Sequence, residues 1–213
     1  MKEENDPTRS TYTALTTAYD FYNENLFESK LPKCLITLQR KNVNTAGYYS
    51  PKRFKKTTGN ITTDEIAINP AHINKENIED VLSTLVHEMT HLWQEHFGKQ
   101  TSRRSYHNGE WGTKMETIGL MPSDTGKPGG KRTGQKMGDY VIENGLFQQK
   151  TEILLKNGFT LPWGEIVDTN PNPNGLSGKK VKYYCPLCLV NLWGKPGLRF
   201  ACLDCIVEFQ AML

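Results

Sequence analysis

The sequence predicts an α+β fold, with helices packed on a small sheet and a small metal-bound cysteine module at the C-terminus. Three observations predict it. The run Ile78–Phe97 keeps its apolar residues at helical spacing. Short apolar runs between residues 34 and 69, punctuated by prolines, have the length of strands. Two Cys-x-x-Cys pairs lie close together in the last thirty residues. The expected organisation is one domain over 1–167, a linker over 168–178 (DTNPNPNGLSG) and a cysteine module over 179–213.

Tyr12, Leu15, Tyr19, Tyr22 and Leu26 step by threes and fours, marking one face of a helix over 8–27. Pro32 separates it from a strand at Cys34–Gln39. A second strand includes Ala46–Tyr49 and is expected to end at Pro51 and the basic run Lys52–Lys56; a third covers Asp64–Asn69 and closes at Pro70. Together they form a small antiparallel or mixed sheet. The helix Ile78–Phe97 follows, capped by Asn74 or Asn77, with Glu79 and Asp80 suiting its first turn and Gly98 its end. Glu110–Leu120 reads as a short helix. Residues 122–138, rich in Gly, Pro, Lys and Thr, read as a long irregular loop, and 139–167 carry no assignable pattern.

Net charge is +3, a mild basic balance that permits a nucleic-acid partner without requiring one. No apolar run approaches the ~18 residues that span a bilayer, so no membrane role is expected. The opening MKEENDPTRS lacks the apolar segment of a signal peptide. The expectation is a cytoplasmic chain, where paired cysteines hold metal rather than disulfides.

The chemistry centres on His87-Glu88-Met89-Thr90-His91. Side chains four apart on a helix are rotated by only about 40°, so His87 and His91 share a face and can grip one ion. Glu88, one step round, is placed to act as a general base on a zinc-activated water. An extended H-E-x-x-H-x-x-G-x-x-H site is excluded, because Gln94 and Phe97 stand where Gly and His are needed. Glu110, Glu116 and His107 are candidates for the third ligand, whereas His96 lies about 140° round the helix from His91 and should point elsewhere. His107 is preferred, since three histidines and a water make an accepted catalytic zinc shell. Cys185, Cys188, Cys202 and Cys205, with thirteen residues between the pairs, suit a closed structural zinc site. The cofactor expectation is therefore two Zn2+ ions, one catalytic and one structural. Cys34 reads as a core thiol, His72 as structural or exposed, and Tyr48 and Tyr49 as packing residues, though either tyrosine could hydrogen-bond a reaction intermediate.

The segments HEMTHLWQEHFG (87–98), YHNGEW (106–111) and GTKMETIGL (112–120) resemble the SprT-like family, which includes Spartan-type DNA-dependent proteases. That family carries a His-Gly-x-x-Phe-like segment after the loop; here Asn108 precedes Gly109 and Trp111 takes the aromatic place. The resemblance implies a zincin-like domain with a C-terminal four-cysteine zinc ribbon, acting on proteins associated with DNA. Basic clusters at Lys52, Arg53, Lys55 and Lys56, at Arg103 and Arg104, at Lys131, Arg132 and Lys136, and at Lys179, Lys180 and Lys182 could track phosphates, including those of single-stranded DNA. The plainer alternative is a set of solvated loops. Two other functions stay open: a DNA-binding adaptor with a vestigial metal site, and a mobile-element protease with no need of DNA.

Overall fold

The computed structural model describes residues 6–40, 45–74, 76–99, 106–166 and 180–212. The expected linker 168–178 and the basic residues Arg103, Arg104 and Lys179 lie outside the described residues. The chain is mixed α/β and divides into two compact units, Met1–Val167 and Asp168–Leu213.

Helix α1 (Pro7–Leu26) starts where the Asp6 carboxylate accepts the Arg9 N–H at 3.0 Å, with Pro7 in the first turn where its missing N–H costs nothing. Its inner face buries Leu15, Tyr19, Tyr22 and Leu26. The Asn23 side chain pairs with both the N–H and the C=O of Leu31, folding the chain back towards the sheet.

The sheet contains β1 (Leu35–Leu38), β2 (Gly47–Lys55) and β3 (Thr62–Ile68) in the order β1-β3-β2. Strand β1 runs parallel to β3 and β2 antiparallel, so the sheet is mixed and β2 is an edge. The expected end of β2 at Pro51 needs correction, because the strand continues to Lys55. On an edge the N–H that proline lacks is not needed for a ladder. The register also slips there: Ser50 faces Glu65, but Phe54 faces Thr63. Within this bulge Lys52 takes φ +48° and donates its N–H to Asp64 Oδ1 at 2.6 Å. The other oxygen of Asp64 meets His96 Nε2 at 2.6 Å, tying the bulge to the helix that follows.

After the short helix α2 (Pro70–Ile73) comes α3 (Ile78–Phe97), with the bounds its periodicity predicts. Asn77, not Asn74, caps it, accepting the Asp80 N–H at 2.8 Å. Leu82, Leu85, Val86, Met89 and Leu92 are each at most 1% exposed and pack against α1 and β3 in one core. Gly47 marks the closest approach of β2 to α3: a Cβ there would stand 2.7 Å from Thr84 Cγ2 and 3.0 Å from the Ala67 carbonyl.

Helix α4 (Gly109–Thr117) is capped by Asn108. The segment expected as an irregular loop is instead closed into a hairpin by β4 (Leu120–Ser123) and β5 (Gly138–Val141). Gly119, at φ +93°, makes the turn into β4, where a Cβ would lie 2.6 Å from the Phe147 nitrogen. Helix α5 (Leu146–Lys156) follows; Phe147 stacks on Tyr22, and Thr151 hydrogen-bonds the Tyr22 hydroxyl at 2.8 Å.

The second unit contains β6 (Val181–Tyr184), β7 (Asn191–Gly194), β8 (Ala201–Cys202), β9 (Val207–Glu208) and β10 (Gln210–Met212). They form a three-stranded sheet, β10-β6-β7, and a two-stranded ribbon, β8-β9, all antiparallel. No helix among the described residues is long and apolar enough to cross a membrane.

Candidate metal centre

Helical spacing brings His87 and His91 to one face of α3, with ring centroids 5.3 Å apart. His107, just before α4, brings the third ring, 4.6 Å from His91. One ligand nitrogen from each of the three lies within 4.8 Å of the others. The Nε2 atoms of His87 and His107 stand 3.3 Å apart. Nitrogens about 2.05 Å from a tetrahedral zinc would be about 3.3 Å apart, so the pair fits such an ion.

The opposite ring nitrogens sharpen this. His87 Nδ1 faces Asp139 Oδ1 at 2.8 Å, and His107 Nδ1 faces the Gly134 carbonyl at 3.1 Å. Both partners are acceptors, so each Nδ1 carries the proton and each neutral ring turns an Nε2 lone pair towards the other. Two lone pairs at that separation suit a shared cation, a proton or a metal.

The electrostatics agree with a ligand set. Burial, then the neighbours His87 and His107, hold His91 well below the usual imidazole range. Burial and His87 bring His107 down to about 4, the Gly134 bond only partly opposing them. Burial also pulls on His87, but the Asp139 hydrogen bond and the charges of Glu88 and Asp139 more than offset it. Trp111 lies against all three rings and near-parallel to His91, at 5.2 Å and 20°. Tyr49 of β2 also lies near-parallel to His91, with its hydroxyl buried.

Glu88 is 6% exposed on α3, and its Cγ is 3.4 Å from where a Cβ on Gly47 of β2 would stand. Burial pushes its carboxyl up to about 7, against the lowering effect of His87. The other weighed residues are engaged elsewhere. Glu110 accepts the Lys99 N–H at 2.8 Å, and Glu116 pairs with Arg132. His96 pairs with Asp64, and His72 is buried against Glu76 at 2.6 Å. Cys34 packs against the core, where burial pushes its thiol up to about 12. Asp139 and Gly134 have no precedent in the motif spacing: Asp139 is 52 residues from the histidine it contacts.

In the second unit one sulfur from each of Cys185, Cys188, Cys202 and Cys205 lies within 4.8 Å of the others. Cys188 Sγ and Cys202 Sγ are 3.7 Å apart, far beyond a disulfide, and all four cysteines are free. Sulfurs about 2.3 Å from a tetrahedral zinc would be about 3.8 Å apart. The Cys188 N–H points at Cys185 Sγ at 3.5 Å; backbone N–H groups lower the Cys185 thiol, while the neighbouring sulfurs raise those of Cys188 and Cys205.

The family model described as SprT-like family matches residues 15–128. The chain belongs to the SprT-like family. The match runs from α1 into the β4–β5 connection and includes all three histidines and Glu88. The chain is also similar to an uncharacterized protein in the mucB 3' region of Salmonella typhimurium. It is 55% identical over 62 residues, 29% of this chain and 82% of the relative. No solved structure matches the chain. SprT-like membership suggests a metallopeptidase-like function, and both the histidine triad and the cysteine cluster could bind a metal ion.

Proposed function

We propose that this chain is a zincin-like zinc metalloendopeptidase, with His87, His91 and His107 as ligands and Glu88 as catalytic base. The observation that carries the reading is three imidazole nitrogens within 4.8 Å beside a buried carboxyl group. Zinc, when bound, polarises the scissile carbonyl and makes hydroxide available near pH 7. Glu88 takes the proton of the attacking water and passes it to the leaving amine. The outer side of β2, an edge strand among the described residues, offers backbone groups to an extended peptide beside α3. The four cysteines hold a second, structural zinc.

For the substrate class we propose proteins associated with DNA. Lys52, Arg53, Lys55 and Lys56 are exposed along the outer half of β2 and just beyond it, beside the edge assigned to the peptide. Arg132 carries less of this reading, because it pairs with Glu116.

Purified Glu88→Gln should keep its zinc and lose about 10²- to 10⁴-fold in cleavage rate. Cleavage at the wild-type rate would overturn the mechanism. Wild type should hold two zinc ions and His91→Ala one; a single ion bound only by the cysteines would favour a non-catalytic adaptor. Single-stranded DNA should stimulate cleavage by the wild type, and a rate unchanged by DNA would favour a DNA-independent protease.

A further inference from the structure

The match to the SprT-like family ends at residue 128, yet two of the three histidines are held from beyond it. Strand β5 places Asp139 opposite Pro122 of β4, and its side chain is 8% exposed. Its Oδ1 is the acceptor for His87 Nδ1. Five residues earlier, Gly134 and His107 exchange two backbone hydrogen bonds, at 2.8 and 3.1 Å, in an isolated antiparallel bridge. The Gly134 carbonyl also accepts the His107 ring proton. The same hairpin therefore fixes the tautomer of two rings that come from different parts of the chain.

We propose that the β4–β5 hairpin is the outer shell of the metal centre, with Asp139 positioning His87 and the Gly134 carbonyl positioning His107. This rests on the histidine metal centre proposed above. Ligand histidines bonded through the second nitrogen to a carboxylate or carbonyl are held in one orientation and made more basic. Asp139 supplies both effects to His87; Gly134 supplies orientation and a dipole to His107. His91 is held differently, by stacking near-parallel to Trp111 and Tyr49. Gly134 thus lies within the stretch 122–138 that composition marks as an irregular loop, and Asp139 directly follows it.

The test compares the full chain as wild type, Asp139→Asn and Asp139→Ala. Zinc affinity is measured by competition with a chromophoric chelator, His91→Ala serving as the blank for the cysteine site. Losing an outer-shell partner typically costs about 10- to 100-fold in metal affinity. Asp139→Ala should lose that much and alter the visible spectrum of the cobalt-substituted triad. Asp139→Asn keeps an acceptor for the ring N–H but not the charge, so its affinity should fall between the two. Its metal-free melting temperature should match wild type. A purely structural role predicts that Asp139→Asn restores affinity as fully as it restores melting, and that result would overturn the proposal. Wild-type affinity in a folded Asp139→Ala would do the same. Equal metal content in wild type and His91→Ala would instead remove the metal centre itself, and the proposal with it.

Discussion

The histidine triad and the cysteine cluster each gather their ligand atoms within 4.8 Å, but the protein around them differs in kind. Two of the triad's three histidines are mounted on α3, whose Leu85, Val86, Met89 and Leu92 are sealed in a core shared with α1 and β3. The cysteine unit has little to seal. Among its described residues only Tyr183, Cys185 and Cys202 are buried, while Leu187, Leu189, Leu203 and Ile206 are 66 to 90% exposed. In the first unit apolar packing builds the frame, and a metal at the triad would be a guest. The unit Asp168–Leu213, 46 residues long, is small for such a frame, and a metal bound by its cysteines would substitute for a core.

Three changes probe that contrast, in descending size. Cys202→Ala removes one of four donors, and structural zinc sites contribute about 10–16 kcal/mol to the folding of small domains. The second unit should lose its strand structure, seen as lost dispersion of its amide NMR signals, while the first unit melts as before. Strands that persist in the metal-free variant would erase the distinction. Leu85→Ala opens a hole beneath the triad and should destabilise the first unit by about 2–5 kcal/mol, read from denaturant unfolding. Thiol labelling of the cysteine unit should not change. Asn77→Ala removes the cap of α3 and should cost the same unit about 1 kcal/mol. A much larger loss would mean that α3 depends on its end rather than its packing.

The parts of this molecule legible in its sequence are those governed by local period. Steps of three and four set the bounds of α3, and the four-residue spacing puts His87 and His91 on one face. The same rule applies to Phe147, Thr151 and Leu154 of α5, but their steps of four and three are too few to stand out where no side chain caps the helix. The extension of β2 past Pro51 depends on its being an edge, which is a property of the sheet and not of the strand. The β4–β5 hairpin hides in a Gly- and Pro-rich stretch because its order comes from partners: Gly134 from His107, and Lys131 N–H from Asp124. The contact between Asp139 and His87 has no local signal at all, since only the fold brings residues 52 apart together.

The slipped register of β2 sets a ruler on the free margin of the sheet. Regular pairing holds from Gly47 to Ser50 and resumes only at Phe54. At about 3.3 Å per residue, the even stretch is roughly 13 Å long. Any chain zipped against it keeps alternating contact for about four residues before the Lys52 kink, which Asp64 clamps, throws it out of step. Whatever is read along that margin is read in a short word.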